Sequence, residues 1–207
     1  MTAADGPLIA VLDYGIGNLR SAEKALQHVG ADARLTSDPA VVHDAAGVVL
    51  PGVGAFGRCM DALDRSGLST VARDVAARNV PFLGICIGMQ LFYDASDENP
   101  GRAGLGILPG VVRRLPDGVK HPQMQWNTVT VLRKSALFAG LPEPPWFYFL
   151  HSFAPDDPSH AIATCDYGGT VVAAVERGHV WATQFHPEKS GAAGLQLLKN
   201  FVTRCAA

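Results

Sequence analysis

The chain has 207 residues, 48% of them hydrophobic and 17% charged, with a formal net charge of −2. That length suits one domain with a substantial core, and the composition excludes a disordered chain. A near-neutral charge without any basic run also argues against a nucleic-acid footprint.

The opening MTAADGPLIAVLDYG has neither the basic region nor the long apolar stretch of a signal peptide. No segment approaches the roughly 20 apolar residues that span a bilayer, so a cytoplasmic protein without membrane contact is expected. Cys59, Cys86, Cys165 and Cys205 form no CxxC pair and no metal-like Cys/His spacing. Four unpaired thiols and no bound metal are the default expectation.

Residues 8–13 (LIAVLD) form a short apolar run of strand formers, ended by Tyr14-Gly15-Ile16-Gly17. From Asn18 the spacing turns helical, with Leu19, Ala22, Ala25, Leu26 and Val29 on one face, and Gly30 supplies a stop. Strands are predicted at 33–35 and 47–50, the second leading into Pro51-Gly52-Val53-Gly54. Residues 63–78 carry a helical pattern broken at Gly67. Residues 80–86 read as a buried strand, followed at once by a helix over IGMQLFYDAS. This alternation predicts βαβ units with a parallel sheet covered on both faces. Such sheets carry their sites at the carboxyl ends of strands, where PGVG and GICIG both fall.

The second half differs. Strand-like runs at 111–115, 128–132, 146–150, 161–164, 171–176 and 180–184 are separated by Gly, Pro and Asp, and predict antiparallel additions with a turn at Arg177-Gly178. A helix over 192–204 closes the chain. One α/β domain accounts for the whole.

Gly84-Ile85-Cys86-Ile87-Gly88 has the spacing of a nucleophile elbow, with cysteine in the serine position. A nucleophile at a sharp strand-to-helix turn stands proud of the sheet, and the positive helix end favours thiolate over thiol. A cysteine on an apolar strand is most often a buried structural thiol. Glycines two residues to either side, at a strand–helix junction, favour the nucleophile.

A cysteine nucleophile needs a base, and Phe185-His186-Pro187-Glu188 supplies one. Residues two apart on an extended chain project to the same side, so Glu188 can hold His186 while the other ring nitrogen faces Cys86. Alone, HPE reads equally well as a solvated turn; with GICIG upstream it completes a triad. Pro51-Gly52-Val53-Gly54 offers a glycine-flanked N–H for an oxyanion hole, with the Ile87 N–H as second donor. The plainer reading of PGVG is a tight turn. A Walker loop is absent, and Tyr14-Gly15-Ile16-Gly17-Asn18 lacks the third glycine of a dinucleotide fingerprint.

PGVGAF, GICIGMQ and FHPEKSG, in this order and at these separations, closely resemble the class I, triad-type glutamine amidotransferases. Within that class, LDYGIGNLRS, PGVGAF in place of a PGG turn, FYFLHSF and FHPEKSG resemble the glutaminase subunits of imidazole glycerol phosphate synthases, over nearly the whole chain and without an attached synthase domain.

The resemblance implies a three-layer, flavodoxin-like α/β fold, with a central, mostly parallel sheet and antiparallel additions, in a single domain over 1–207. It implies hydrolysis of L-glutamine through a thioester on Cys86, with His186 and Glu188 completing the triad and Gly52, Val53 and Ile87 forming the oxyanion hole. Gln90 and Ser152-Phe153 would hold the glutamine head group. Ammonia would pass to a separate (β/α)₈ cyclase subunit in a heterodimer, with Asn18, Trp126, Asn127, Tyr148 and Lys189 near the interface or the ammonia passage. Trp126 and Tyr148 read equally well as core aromatics, and Lys189 as a solvated charge. No cofactor is expected.

Two departures stand out. Gln125 occupies a position that is glycine in the family pattern PxMGWN, and would be strained there if the backbone φ is positive. Phe153 replaces the tyrosine of HSY, which matters only if the family uses that hydroxyl. The rival readings are a glutaminase feeding pyridoxal phosphate or purine synthesis, and a binding subunit that kept the fold without the chemistry.

Overall fold

The computed structural model describes residues 6–206; residues 1–5, where the opening of the signal-peptide comparison falls, and residue 207 lie outside the described residues. The first half runs β1 (Leu8–Leu12), α1 (Leu19–His28), β2 (Asp32–Thr36), α2 (Pro39–Asp44), β3 (Gly47–Gly52), α3 (Phe56–Arg65), α4 (Leu68–Ala77), β4 (Phe82–Cys86) and α5 (Ile87–Leu91). The second half runs β5 (Ala95–Ser96), β6 (Val111–Arg114), β7 (Gln123–Thr128), β8 (Thr130–Val131), β9 (Trp146–His151), β10 (Phe153–Pro155), β11 (Ala161–Asp166), β12 (Thr170–Arg177), β13 (Val180–Thr183) and α6 (Gly191–Cys205).

The main sheet has the order β2-β1-β3-β4-β13-β12-β11-β8. Strands β2, β1, β3, β4 and β13 are mutually parallel, and β12, β11 and β8 extend the sheet antiparallel. Side chains alternate across each parallel strand. Ile9 and Val11 of β1 join a core with Leu26 of α1 and Leu197 and Phe201 of α6. Ala10 and Leu12 face the opposite core, built by Met60 of α3, Ala72 of α4 and Met89 of α5. Burial on both faces is why these strands read as continuous apolar runs rather than alternating ones. The α/β reading, with a largely parallel sheet and antiparallel additions, therefore holds.

Several local expectations are corrected. The segment 63–78 is two helices: Gly67 takes a left-handed φ of 76°, and α3 begins earlier, at Phe56. Its first free N–H groups, on Phe56 and Gly57, donate to the side chains of Glu98 and Asn99 at 2.7 and 2.8 Å. Helix α5 ends at Leu91 instead of running through Ser96. The carbonyls of Leu91, Phe92 and Tyr93 are taken by the N–H groups of Leu105, Leu108 and Gly106, which ends the helical ladder there. Strands β7 and β10 and helix α2 were not anticipated. Beside the main sheet, β10-β6-β5 form a small sheet, and β7 pairs antiparallel with β9. Among the described residues no helix is long and apolar enough to cross a membrane.

Candidate active site

Strands β3, β4 and β13 lie side by side, so their carboxyl ends converge on one point. Cys86 ends β4 with φ 55° and ψ −109°, a conformation that side chains other than glycine rarely adopt. The strain follows from a turn with no spare residue, in which β4 passes directly into α5. A β-carbon on Gly88 would fall 1.8 Å from the Leu50 carbonyl oxygen of β3. One on Gly84 would fall 2.8 Å from the Phe92 ring and 2.9 Å from the Gly88 carbonyl. The two glycines therefore let the helix close down on the sheet and leave Cys86 at the crest. All four cysteines are buried and free, and Cys86 alone of them has a positive φ.

The Cys86 thiol donates to the Leu150 carbonyl at 3.7 Å, and the Gln184 amide approaches its sulfur at 3.8 Å. Cys86 lines a cavity of about 210 Å³, together with Val53, Ile87, Gln90, Glu98, Ser152 and Phe153 among others. This is below the roughly 300 Å³ at which drug-sized pockets begin, and fits a small polar molecule.

His186 lies beyond the end of β13, with Nδ1 2.8 Å from Glu188 Oε1 and both side chains buried. The pair does not form on an extended chain, as the spacing suggested. Pro187 instead begins a 3-10 turn over Pro187–Lys189, and that turn brings Glu188 back to the ring. With Nδ1 committed to Glu188, Nε2 is buried without a hydrogen-bond partner. Burial by itself disfavours an imidazolium. The charge of the neighbouring Cys86 sulfur, then the hydrogen bond and charge of Glu188, outweigh it and push the His186 pKa up to about 10. His186 can thus carry a proton on Nε2 while Glu188 holds Nδ1.

The backbone around His186 is held by Ser190, which the sequence reading passed over. Its hydroxyl donates to the His186 carbonyl at 2.6 Å and accepts the Tyr148 N–H at 3.0 Å. The His186 N–H in turn donates to the Tyr148 carbonyl at 2.9 Å.

On the other side of Cys86, β3 runs to Gly52, which pairs in register with Cys86. PGVG is therefore a strand end followed by a turn at Gly54, whose φ is 111°. Val53 lines the cavity, and no acceptor among the described residues takes its N–H. The Ile87 N–H, first in α5, has no intrahelical acceptor by position. Two N–H groups are thus available beside the sulfur.

The Gln90 amide donates to the Phe153 carbonyl at 2.9 Å and to Gln184 Oε1 at 3.1 Å. The imidazole Nδ1–H of His151 donates to the same Phe153 carbonyl at 2.8 Å. Residue 153 is therefore engaged through its backbone, and replacement of tyrosine by phenylalanine leaves that engagement intact. Gln125 sits in β7 opposite Phe149 and is not among the positive-φ residues, so no left-handed strain arises there.

Trp126 and Tyr148 face each other across β7 and β9, with ring centroids 6.3 Å apart; Tyr148 lies 6.5 Å from the His186 ring. Trp126 is 48% exposed, which removes the core reading for it. Lys189 is exposed in the turn after His186. Asn127 bonds the Asp166 carbonyl at 2.9 Å, and Asn18, at the start of α1, accepts from Ser21 at 2.8 Å.

Beyond Ser190, two cavity-lining residues, Glu98 and His151, were missed, as was Gln184 beside the Cys86 sulfur. Among the described residues, Glu98 is the one carboxylate lining the cavity. For Glu98 and Ser190 the partners lie 42 residues away, and for Gln184 the sulfur lies 98 residues away, so no local pattern announces them. His151 sits in the quoted segment FYFLHSF, where only its neighbours drew notice.

A family model described as glutamine amidotransferase class-I matches residues 10–205. The imidazole glycerol phosphate synthase subunit HisH of Symbiobacterium thermophilum is 51% identical over 195 residues, covering 93% of this chain and 92% of that protein. The subunit of the same name from Synechococcus elongatus is 48% identical over 210 residues, covering 99% and 96%. Among solved structures, PurLQS from Thermotoga maritima superposes with a TM-score of 0.75 at 19% identity, covering 96% of this chain and 98% of that one. That last likeness speaks to the fold alone.

Proposed function

The chain belongs to the class-I glutamine amidotransferase family, and on that premise we propose that it is the glutaminase subunit of an imidazole glycerol phosphate synthase, a single amidotransferase domain over 1–207 working in the cytoplasm. The observation that carries the chemistry is the Cys86 elbow facing a buried His186 whose Nδ1 is held by Glu188 at 2.8 Å.

The Cys86 thiolate attacks the side-chain amide carbon of L-glutamine, forming a C–S bond and an oxyanion. The Val53 and Ile87 N–H groups, beside Gly52, stabilise that oxyanion. His186 gives its proton to the leaving nitrogen, the C–N bond breaks, and ammonia departs from a thioester. His186 then takes a proton from water as the water attacks, glutamate leaves, and the thiolate returns. Glu188 keeps the imidazole oriented throughout. Gln90, Ser152 and Phe153 shape the wall that receives the head group, and Glu98 offers its carboxylate to the substrate ammonium.

The partner is a separate (β/α)₈ cyclase in a heterodimer. The exposed Trp126, with Asn18, Asn127, Tyr148 and Lys189, marks the side towards which ammonia leaves. The Gly52–Val53 peptide, with glycine as its pivot, is the element that the partner biases towards the oxyanion. The test is glutamate release by the chain alone, and with the cyclase and its ligand. Very low turnover alone and rapid turnover in the complex are expected. A high rate without the partner would remove the gating, and no rate with it would remove the assignment.

A further inference from the structure

Tyr14 and Cys59 stand outside the Cys-His-Glu group, yet both reach the segment that carries the Val53 N–H. The Tyr14 hydroxyl, from the loop after β1, donates to the Pro51 carbonyl at 2.9 Å. The Cys59 thiol, from α3, donates to the Val53 carbonyl at 3.6 Å. Between those two carbonyls lies a single peptide unit, Gly52–Val53. We propose that Tyr14 and Cys59 are positioning residues for glutamine hydrolysis: they clamp the peptides on either side of Gly52–Val53, and leave that one peptide to aim its N–H at an oxyanion on Cys86. The inference rests on the glutaminase reading above and adds two residues to it.

The surroundings fit a pivot with fixed ends. A β-carbon on Gly52 would fall 2.2 Å from the Tyr14 hydroxyl oxygen, so the clamp fills the space a side chain would need. Gly17, at φ 123°, lets the loop after β1 press on the same peptide. A β-carbon there would meet Gly52 Cα at 3.3 Å and the Val53 nitrogen at 3.5 Å. The pivot residue is glycine, whose φ and ψ turn at little steric cost.

Both clamps keep their protons at neutral pH. Burial, reinforced by the neighbouring Cys59, raises the Tyr14 phenol far above its ordinary value. Burial likewise pushes the Cys59 thiol up to about 11. A fully buried, protonated Cys59 is a hydrogen-bond donor and not a second nucleophile. As S–H is a weaker donor than O–H, Tyr14 is the stronger clamp.

The test compares Tyr14→Phe, Cys59→Ala, Cys59→Ser and the Tyr14→Phe/Cys59→Ala double variant in the assembled complex with the cyclase ligand bound. Tyr14→Phe is expected to lower kcat for glutamine about tenfold and Cys59→Ala about threefold, with KM within about twofold of wild type. Cys59→Ser should restore most of the loss. The double variant should lose less than the product of the single losses, because both act on one segment. Synthesis from added ammonium salts should not change. Alkylation of Cys86 by iodoacetamide, a displacement that develops no oxyanion, should proceed at the wild-type rate.

A kcat within about twofold of wild type in both single variants would overturn the clamp. So would parallel slowing of Cys86 alkylation, which would make the two residues supports of the nucleophile. A wild-type complex without glutamine turnover would overturn both the clamp and the glutaminase reading.

Discussion

The Ser190 hydroxyl donates to the His186 carbonyl at 2.6 Å and also accepts the Tyr148 N–H at 3.0 Å, tying the turn after β13 to β9 from within the core. Ser190→Ala removes the donor and leaves the Tyr148 N–H buried without that partner. A stability loss of about 1–3 kcal/mol is expected, read as a lower urea midpoint with an unchanged slope. Because the imidazole rides on that carbonyl's residue, kcat for glutamine should also fall, on the order of tenfold. Unchanged kcat would show that Pro187 and Glu188 hold the ring unaided.

The two elbow glycines make a steric prediction. Gly88→Ala drives a methyl group into the Leu50 carbonyl of β3, a backbone atom with no side-chain route out of the way. It should cost about 3 kcal/mol or more. Gly54→Ala meets no atom within 4 Å and carries only the strain of φ 111°, so about 1–2 kcal/mol is expected. Thermal unfolding of the two variants should separate them. Equal midpoints would contradict the crowding described at Gly88.

What the sequence disclosed, and what it withheld, divides by distance along the chain. The strands β1, β3 and β4 are legible because burial on both faces makes them unbroken apolar runs. Cys86 is legible because its glycines are two residues away. His186 and Glu188 meet, but not for the reason their spacing offers, since the 3-10 turn at Pro187 makes the contact. The start of α3 was missed because its capping groups come from Glu98 and Asn99, more than forty residues on. The end of α5 was missed because residues 87–93 are all buried and present no polar face to mark its length, and residues 105–108 are what stop it. Strand β7 hides for the opposite reason. After Gln123 its residues are exposed or half-buried, so neither period shows.

His151 predicts an acid limit to stability. Its Nδ1–H donates to the Phe153 carbonyl, and its Nε2 is buried without a partner. Burial lowers its pKa to about 4, despite the opposing effect of that hydrogen bond. An unfolded chain takes up this proton below about pH 6.5 while the folded one does not, so the folded state loses stability as pH falls from about 6.5 towards 4. The loss attributable to this residue is about 3 kcal/mol. About 2 kcal/mol of it falls between pH 7 and pH 5, where urea midpoints measure it. His151→Gln, which cannot charge, should flatten the difference between them.

Cys86→Ala separates chemistry from scaffolding. Without the sulfur no thioester forms, and glutamine-dependent synthesis in the complex should fall by about a thousandfold or more. Synthesis from added ammonium salts should continue, because that substrate enters after the step Cys86 performs. Glutamine-dependent activity surviving in this variant would displace Cys86 as the nucleophile.

Glu188→Gln tests the other end of the relay through its pH dependence. The proton on His186 is retained to about pH 10, first through Cys86 and then through the hydrogen bond and charge of Glu188. A glutamine keeps the shape of the contact but not its charge, so the imidazolium should lose its proton at a lower pH. The proton that must reach the leaving nitrogen is then absent over more of the alkaline range. The alkaline limb of kcat should therefore move to lower pH, and kcat at neutral pH should fall by about a hundredfold or more as ring orientation weakens. A proportional loss at every pH, with the limb unmoved, would assign Glu188 to orientation alone.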